Sequence, residues 1–210
     1  MNRTIVRDIF AGRVYPWEIL PVLGEFIKTL GRTLPKGLYD RTAEDVWVAG
    51  SAEVAASAYI CGPCIIDAGA QVRHSALIRG NTVIGKNAVV GNSSEIKNSV
   101  LFDGVKAPHF NYIGDSVIGY LAHFGAGAVA SNVRNDKSEI RIRYGNSAVE
   151  TGLAKFGAAV GDCAEIGCNA VLFPGTVIGR NTDVYPLSGV RGYVAADSIF
   201  KDKNNIVTKE

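Results

Sequence analysis

Ile78-Arg79-Gly80-Asn81-Thr82-Val83-Ile84-Gly85-Lys86-Asn87-Ala88-Val89-Val90-Gly91-Asn92-Ser93-Ser94-Glu95-Ile96 repeats its character every six residues. Aliphatic side chains stand at 78, 84, 90 and 96. Small or β-branched ones, Thr82, Ala88 and Ser94, come four places after the first three, and Gly85 and Gly91 directly follow an aliphatic. A period of six fits neither an amphipathic helix at 3.6 nor a hairpin strand at 2. It predicts a solenoid of short flat strands, with one large and one small inward side chain per face and glycine relieving tight corners. Three such faces close a coil of roughly 18 residues, and successive coils stack at ~4.8 Å, the ordinary interstrand spacing.

Upstream, the aliphatic series runs back through Val72, Ile66, Ile60, Val54 and Val48. Downstream, a second run covers Val160, Ile166, Leu172, Ile178, Val184 and Val190. Between the runs the period slips, with five residues from Ile96 to Leu101 and five from Ile113 to Ile118. Residues 132–156 abandon the pattern and read as a charged excursion, a loop long enough to be functional or disordered. Residues 1–45 differ again: Trp17, Leu20, Leu23, Ile27 and Leu30 fall at helical intervals, with Pro16 and Pro21 suited to first-turn positions. They predict a helical cap over the open first coil, an edge that would otherwise invite strand pairing. The predicted organisation is therefore a cap over 1–45, an all-β solenoid over 46–194 and a polar tail over 195–210, a short helix or an arm.

The chain has 210 residues, with Lys plus Arg at 22 against Asp plus Glu at 20 and a net charge of +2. This bias is too weak to favour nucleic acid or a membrane surface as partner, and it leaves small anions open. No apolar run approaches the ~18 residues of a membrane span, and residues 1–10 lack the apolar stretch expected of a secretory signal. The expectation is a cytoplasmic protein whose four cysteines, Cys61, Cys64, Cys163 and Cys168, remain thiols.

Coil geometry nominates site residues. Arg79 and Lys97 are 18 apart and both follow an inward aliphatic, so they should project from one face about one strand spacing apart, with an anion such as phosphate relieving their repulsion. His109 lies in the slipped segment and is a candidate general base, with Glu95 a candidate orienting group; the competing reading is a hydrogen-bonded packing histidine. His74 and His123 lack the spacing of a zinc site. Cys61-x-x-Cys64 has no second pair, so no metal is expected. Nucleotide-binding Gly-rich loops and nucleophile elbows are absent from the sequence.

The segment from Glu95-Ile96-Lys97-Asn98-Ser99 through Lys106-Ala107-Pro108-His109-Phe110-Asn111-Tyr112-Ile113-Gly114-Asp115, with Phe124-Gly125-Ala126-Gly127 and Asn132, resembles the acetyltransferase domain of bifunctional sugar-1-phosphate nucleotidyltransferase/glucosamine-1-phosphate N-acetyltransferases. The resemblance spans roughly 46–194. It implies a left-handed parallel β-helix, the hexapeptide-repeat fold, assembled as a homotrimer. The implied activity is transfer of acetyl from acetyl-CoA to the amine of an amino-sugar phosphate such as glucosamine 1-phosphate. By resemblance, His109 is the catalytic base, Arg79 and Lys97 hold the sugar phosphate, and Tyr112 contacts the sugar. Ala126, Asn132 and Cys168 then lie beside acetyl-CoA. His123 stands where the family has an asparagine near the amino sugar, and Val133 where bacterial members have tyrosine. The nucleotidyltransferase domain has no counterpart here, so synthesis of a sugar nucleotide by this chain alone is not expected. The alternative is a catalytically silent trimer that binds a sugar phosphate or serves a separate nucleotidyltransferase.

Overall fold

In the computed structural model, residues 3–209 are described; Met1, Asn2 and Glu210, at the ends of the two predicted terminal segments, lie outside them. The six-residue period becomes three parallel sheets, the faces of a stacked prism. Face one runs from Val46–Ala49 through Cys64–Ile66, Thr82–Ile84 and onward to Tyr193–Val194. Face two runs from Glu53–Val54 through Val89–Asn92, Lys106–His109 and His123–Phe124 to Ser198–Asp202. Face three runs from Tyr59–Cys61 through Leu77–Arg79, Glu95–Lys97 and Tyr112–Gly114 to Gly189–Val190.

The predicted inward aliphatics form one continuous core. Ile66, Ile78, Ile84, Val90, Ile96, Leu101, Ile113, Ile118, Phe124, Ile166, Leu172 and Val190 all pack in it, almost wholly shielded from water. The five-residue slips leave this stack intact because each removes a corner residue, as the pairing of Leu101 with Ile84 shows. The corners correct one expectation. The left-handed positions are shared between glycine, as at Gly69, Gly80 and Gly127, and Asn, Ser or Asp, as at Asn81, Asn87, Asn98, Asp115 and Asn169, which tolerate positive φ. Glycines directly after the aliphatic, such as Gly85 and Gly91, do not have positive φ; a Cβ there would strike the backbone of the next coil. They permit close approach, not an unusual turn.

The N-terminal segment departs from the expected cap. It forms 3-10 turns at Arg7–Phe10 and Pro16–Ile19 and an α-helix at Leu23–Thr33, then a strand, Tyr39–Ala43, antiparallel to Val46–Ala49. Leu23, Ile27 and Gly31 bury one helical stripe. The helix ends at Leu34, which is extended because Pro35 follows. The strand covers the face-one edge of the first coil, but the helix does not close that coil, where Val54 remains 38% exposed. The turns and helix lie along the outside of face one. There the outward residues Trp47, Ile65, Val83, Val100 and Val117 stack in register and join Val6, Phe10, Ile19, Leu23 and Ile27 in a second core. This continuous apolar stripe gives the helix a hydrophobic surface to pack against.

The excursion is ordered rather than a bare loop. Arg141–Tyr144 and Ser147–Glu150 form an antiparallel hairpin, and Ile140, Ile142 and Phe156 enter the second core. The tail is neither a helix nor a free arm: Ser198–Asp202 adds a rung to face two, and Asn205–Thr208 folds back on it antiparallel.

Gly31 lies against the ring of Trp47, where a Cβ would overlap the indole. Replacing it with alanine gains up to about 1 kcal/mol of helix propensity but overpacks this contact at about 1–3 kcal/mol. Gly31→Ala is expected to lower the urea unfolding midpoint; a raised midpoint would show that the helix is free to shift.

Candidate functional site

The strands Glu95–Lys97 and Tyr112–Gly114 pair in parallel, Glu95 opposite Tyr112 and Lys97 opposite Gly114, with Leu77–Arg79 on the other side. Alternation turns Ile78, Ile96 and Ile113 inward and sends Arg79, Glu95, Lys97 and Tyr112 outward. Arg79 and Lys97 do stand on adjacent coils of one face. Carboxylates of the chain already accompany both. Arg79 Nη1 donates to Glu95 Oε1 at 2.7 Å, which raises the guanidinium pKa further. Lys97 Nζ donates to Asp115 Oδ2 at 3.1 Å. Glu95 is thus engaged with Arg79 and is not an orienting partner of His109.

Asp115 is the hub that reading the sequence missed. It is only 4% exposed. Its carboxylate accepts from Lys97, from Asn98 Nδ2 at 2.8 Å and from Asn132 Nδ2. Tyr112 Oη donates to Asn132 Oδ1 at 3.3 Å. Gly114 makes the junction possible: a Cβ there would sit 2.7 Å from both Asn132 Nδ2 and Tyr112 Oη. Burial, then Glu95 and Asp115, push the Tyr112 phenol above its ordinary value, so it stays protonated and able to donate near neutrality. The 18-residue spacing that singled out Arg79 would not have found Asp115, because the slip puts Gly114, not Asp115, opposite Lys97.

His109 ends the face-two strand Lys106–His109, beside the corner that leads into Tyr112–Gly114. Its ring is exposed and has no hydrogen bond within the protomer among the described residues, unlike a packing histidine. A ladder of backbone bonds stacks this corner. Gly127 N donates to His109 O at 3.0 Å, Asn169 N to Ala126 O at 2.8 Å and Leu187 N to Cys168 O at 2.9 Å. His109, Ala126 and Cys168 therefore occupy one column, on successive coils. The amides of Gly125 and Gly127 are consumed by the ladder, whereas those of Ala126 and Cys168 donate to nothing in the protomer among the described residues. Asn132 is separate from this column; it is 8% exposed and belongs to the Asp115 hub.

The remaining candidates lie on or just after face two. His123 Nδ1 lies 2.7 Å from Glu165 Oε2 on face two, three residues along from Ala126. His74, two coils below His109 in the same column, has its Nδ1 2.7 Å from Ser57 Oγ. Among the described residues no three potential metal ligands gather. Cys64 is fully buried, and burial pushes its thiol up, as suits an inward small residue.

The repeats carrying this geometry have known counterparts. Residues 60–141 match the GMPPB C-terminal domain. Over 105 residues the chain is 36% identical to a bifunctional sugar-1-phosphate nucleotidylyltransferase/acetyltransferase of Sulfurisphaera tokodaii, covering 50% of this chain and 26% of that protein. Over 115 residues it is 32% identical to the bifunctional protein GlmU of Methanococcus maripaludis, covering 54% and 28%. The chain thus spans about a quarter of the length of the curated relatives it matches. Among solved structures, a hexapeptide transferase family protein from Anaplasma phagocytophilum aligns with a TM-score of 0.43 at 14% identity, over 80% of this chain and 86% of that one. No helix of the described residues is long and apolar enough to cross a membrane.

Proposed function

We propose that the protein is an N-acetyltransferase that moves acetyl from acetyl-CoA to the amine of an amino-sugar 1-phosphate, glucosamine 1-phosphate or a close relative, and that it works as a homotrimer. The observation that carries this reading is the exposed, unpaired imidazole of His109 at the head of the coil that bears Tyr112, next to the Arg79–Lys97 coils. The relatives named as nucleotidylyltransferase/acetyltransferases support the same chemistry.

Each residue has a distinct part. His109 takes the proton from the sugar amine as it becomes a nucleophile. Arg79 holds Glu95 in an exposed pair that solvent screens, so a phosphate dianion can replace the carboxylate at small cost. Lys97 is fixed by the buried Asp115 and offers an oriented ammonium beside Arg79. Tyr112 presents a protonated phenol to a sugar hydroxyl. Holding the acceptor at two points converts an encounter into an oriented attack. The unpaired amides of Ala126 and Cys168, in the His109 column, fit a thioester oxygen or an amide of an extended acyl carrier. Acetyl-CoA supplies the activated acetyl group.

The test is release of free thiol from acetyl-CoA with a panel of glucosamine 1-phosphate, galactosamine 1-phosphate and the unphosphorylated amino sugars. Turnover with a 1-phosphate, at least tenfold above its unphosphorylated sugar, is expected, since two charge-assisted contacts are lost without the phosphate. Sugar-phosphate binding with no thiol release from any acceptor would instead favour a silent binding trimer.

A further inference from the structure

Where the N-terminal segment crosses the corner leading from face one to face two, it encloses a cavity of about 240 Å³. The His109 column stands at a different corner, the one that follows face two. Phe10, Phe102, Val117 and Val160 give the cavity apolar walls, and the rings of Phe10 and Phe102 meet edge-on at 5.7 Å. Arg3, Arg13, Arg180 and Asp162 supply its charges. The carboxylate is already committed: Asp162 Oδ1 accepts from Tyr120 N at 2.8 Å, and Oδ2 lies 3.7 Å from Arg180 Nε. No carboxylate pairs with Arg3 or Arg13 among the described residues. The Arg3 guanidinium lies 4.2 Å from the ring centre of Tyr120, and stacking there leaves its edge N–H groups available. The loop that carries Arg13 is held in place, since Arg13 N donates to Phe10 O at 3.1 Å and Val14 N to Glu18 Oε2 at 3.1 Å.

We infer that this cavity binds a small phosphate monoester, with its apolar body against Phe10 and Phe102 and its phosphate on Arg3 and Arg13. Charge supports it. Two guanidiniums without carboxylates match a phosphate that carries about two negative charges near neutral pH. Apolar walls with a few convergent charged groups are also the usual make-up of a small-molecule site. Size sets the class of ligand. The volume lies below the roughly 300–1,000 Å³ of sites for drug-sized molecules, so it suits one ring with its phosphate and not a coenzyme. Arg3, Phe10 and Arg13 precede the matched domain at 60–141, so the site depends on the N-terminal segment that packs on face one.

The experiment is an NMR titration of the full chain with phenyl phosphate, inorganic phosphate and phenol, repeated on Arg13→Ala and on Arg79→Ala. Phenyl phosphate is expected to saturate with a Kd of about 1 mM or tighter, a modest demand on a ligand of about 11 non-hydrogen atoms. Arg13→Ala should weaken it about tenfold, the loss of one charge-assisted contact. Arg79→Ala should leave it unchanged, which separates this cavity from the acceptor phosphate of the proposed reaction. Inorganic phosphate and phenol should each bind at least about tenfold more weakly than phenyl phosphate, because each makes only part of the contacts. The assignment is overturned by an absence of saturable binding, by equal affinity in Arg13→Ala, by loss of binding in Arg79→Ala, or by inorganic phosphate binding as tightly as its phenyl ester. Because Arg13 is exposed and outside both cores, its replacement leaves the fold intact.

Discussion

His109→Ala is expected to lower the turnover of acetyl-CoA with the amino-sugar phosphate by 10²–10⁴-fold, the usual contribution of a positioned general base. Stability and oligomeric state should not change. The imidazole is exposed, has no hydrogen bond within the protomer among the described residues and belongs to neither core. What the fold requires at this position is the backbone: His109 O accepts from Gly127 N, and His109 pairs with Asn92 in the strand below. Alanine keeps both. The variant thus separates chemistry from architecture, read as initial rates of thiol release beside a thermal unfolding curve. Wild-type rates would remove His109 as the base; a collapsed melting temperature would show that the ring is structural.

Asp115→Ala should have the largest effect on stability of any change at the site, a loss of about 3 kcal/mol. Removing one partner of a buried ion pair typically costs about 3–5 kcal/mol because the other charge is stranded. Lys97 is 22% exposed at its side chain against 5% for Asp115, which favours the lower end. Two further terms act in the same direction: Asn98 and Asn132 lose their acceptor, and alanine at φ 47 is strained where Asp and Asn are tolerated. Asp115→Asn keeps the shape, the left-handed backbone and one acceptor oxygen. It should therefore cost clearly less. Urea unfolding of the three proteins measures this order. If the alanine variant lies within 1 kcal/mol of wild type, about the size of a single exposed contact, the hub is not what fixes Lys97 and Tyr112.

The two variants act on different links of one chain of cause. His109 is supported by backbone and available to a ligand. Lys97, Tyr112 and Asn132 are supported by side chains through Asp115, so the acceptor side of the site is coupled to the fold. Losing Asp115 should raise the acceptor KM, whereas losing His109 should lower kcat.

The six-residue period by itself determined the three faces, the inward residues and the stacking of Arg79 beneath Lys97, because a solenoid's contacts are local and repeat with the sequence. His109, Ala126 and Cys168 were named through the resemblance, and their shared column is visible only in the structure, because residues 132–156 interrupt the period. Tertiary structure alone decided the rest. Trp47, Ile65, Val83, Val100 and Val117 announce a second apolar surface on face one, but which segment covers it depends on non-local packing, and the helix that seemed to cap the first coil lies there instead. Glu95 was read beside His109 and pairs with Arg79, because which of several nearby partners a long charged side chain selects depends on side-chain geometry that a repeat does not encode. Asp115 gathers Lys97, Asn98 and Asn132 only because a corner residue was dropped and Gly114 left room beside it. A repeat specifies what lies above what; burial and the competition among nearby charges specify what touches what.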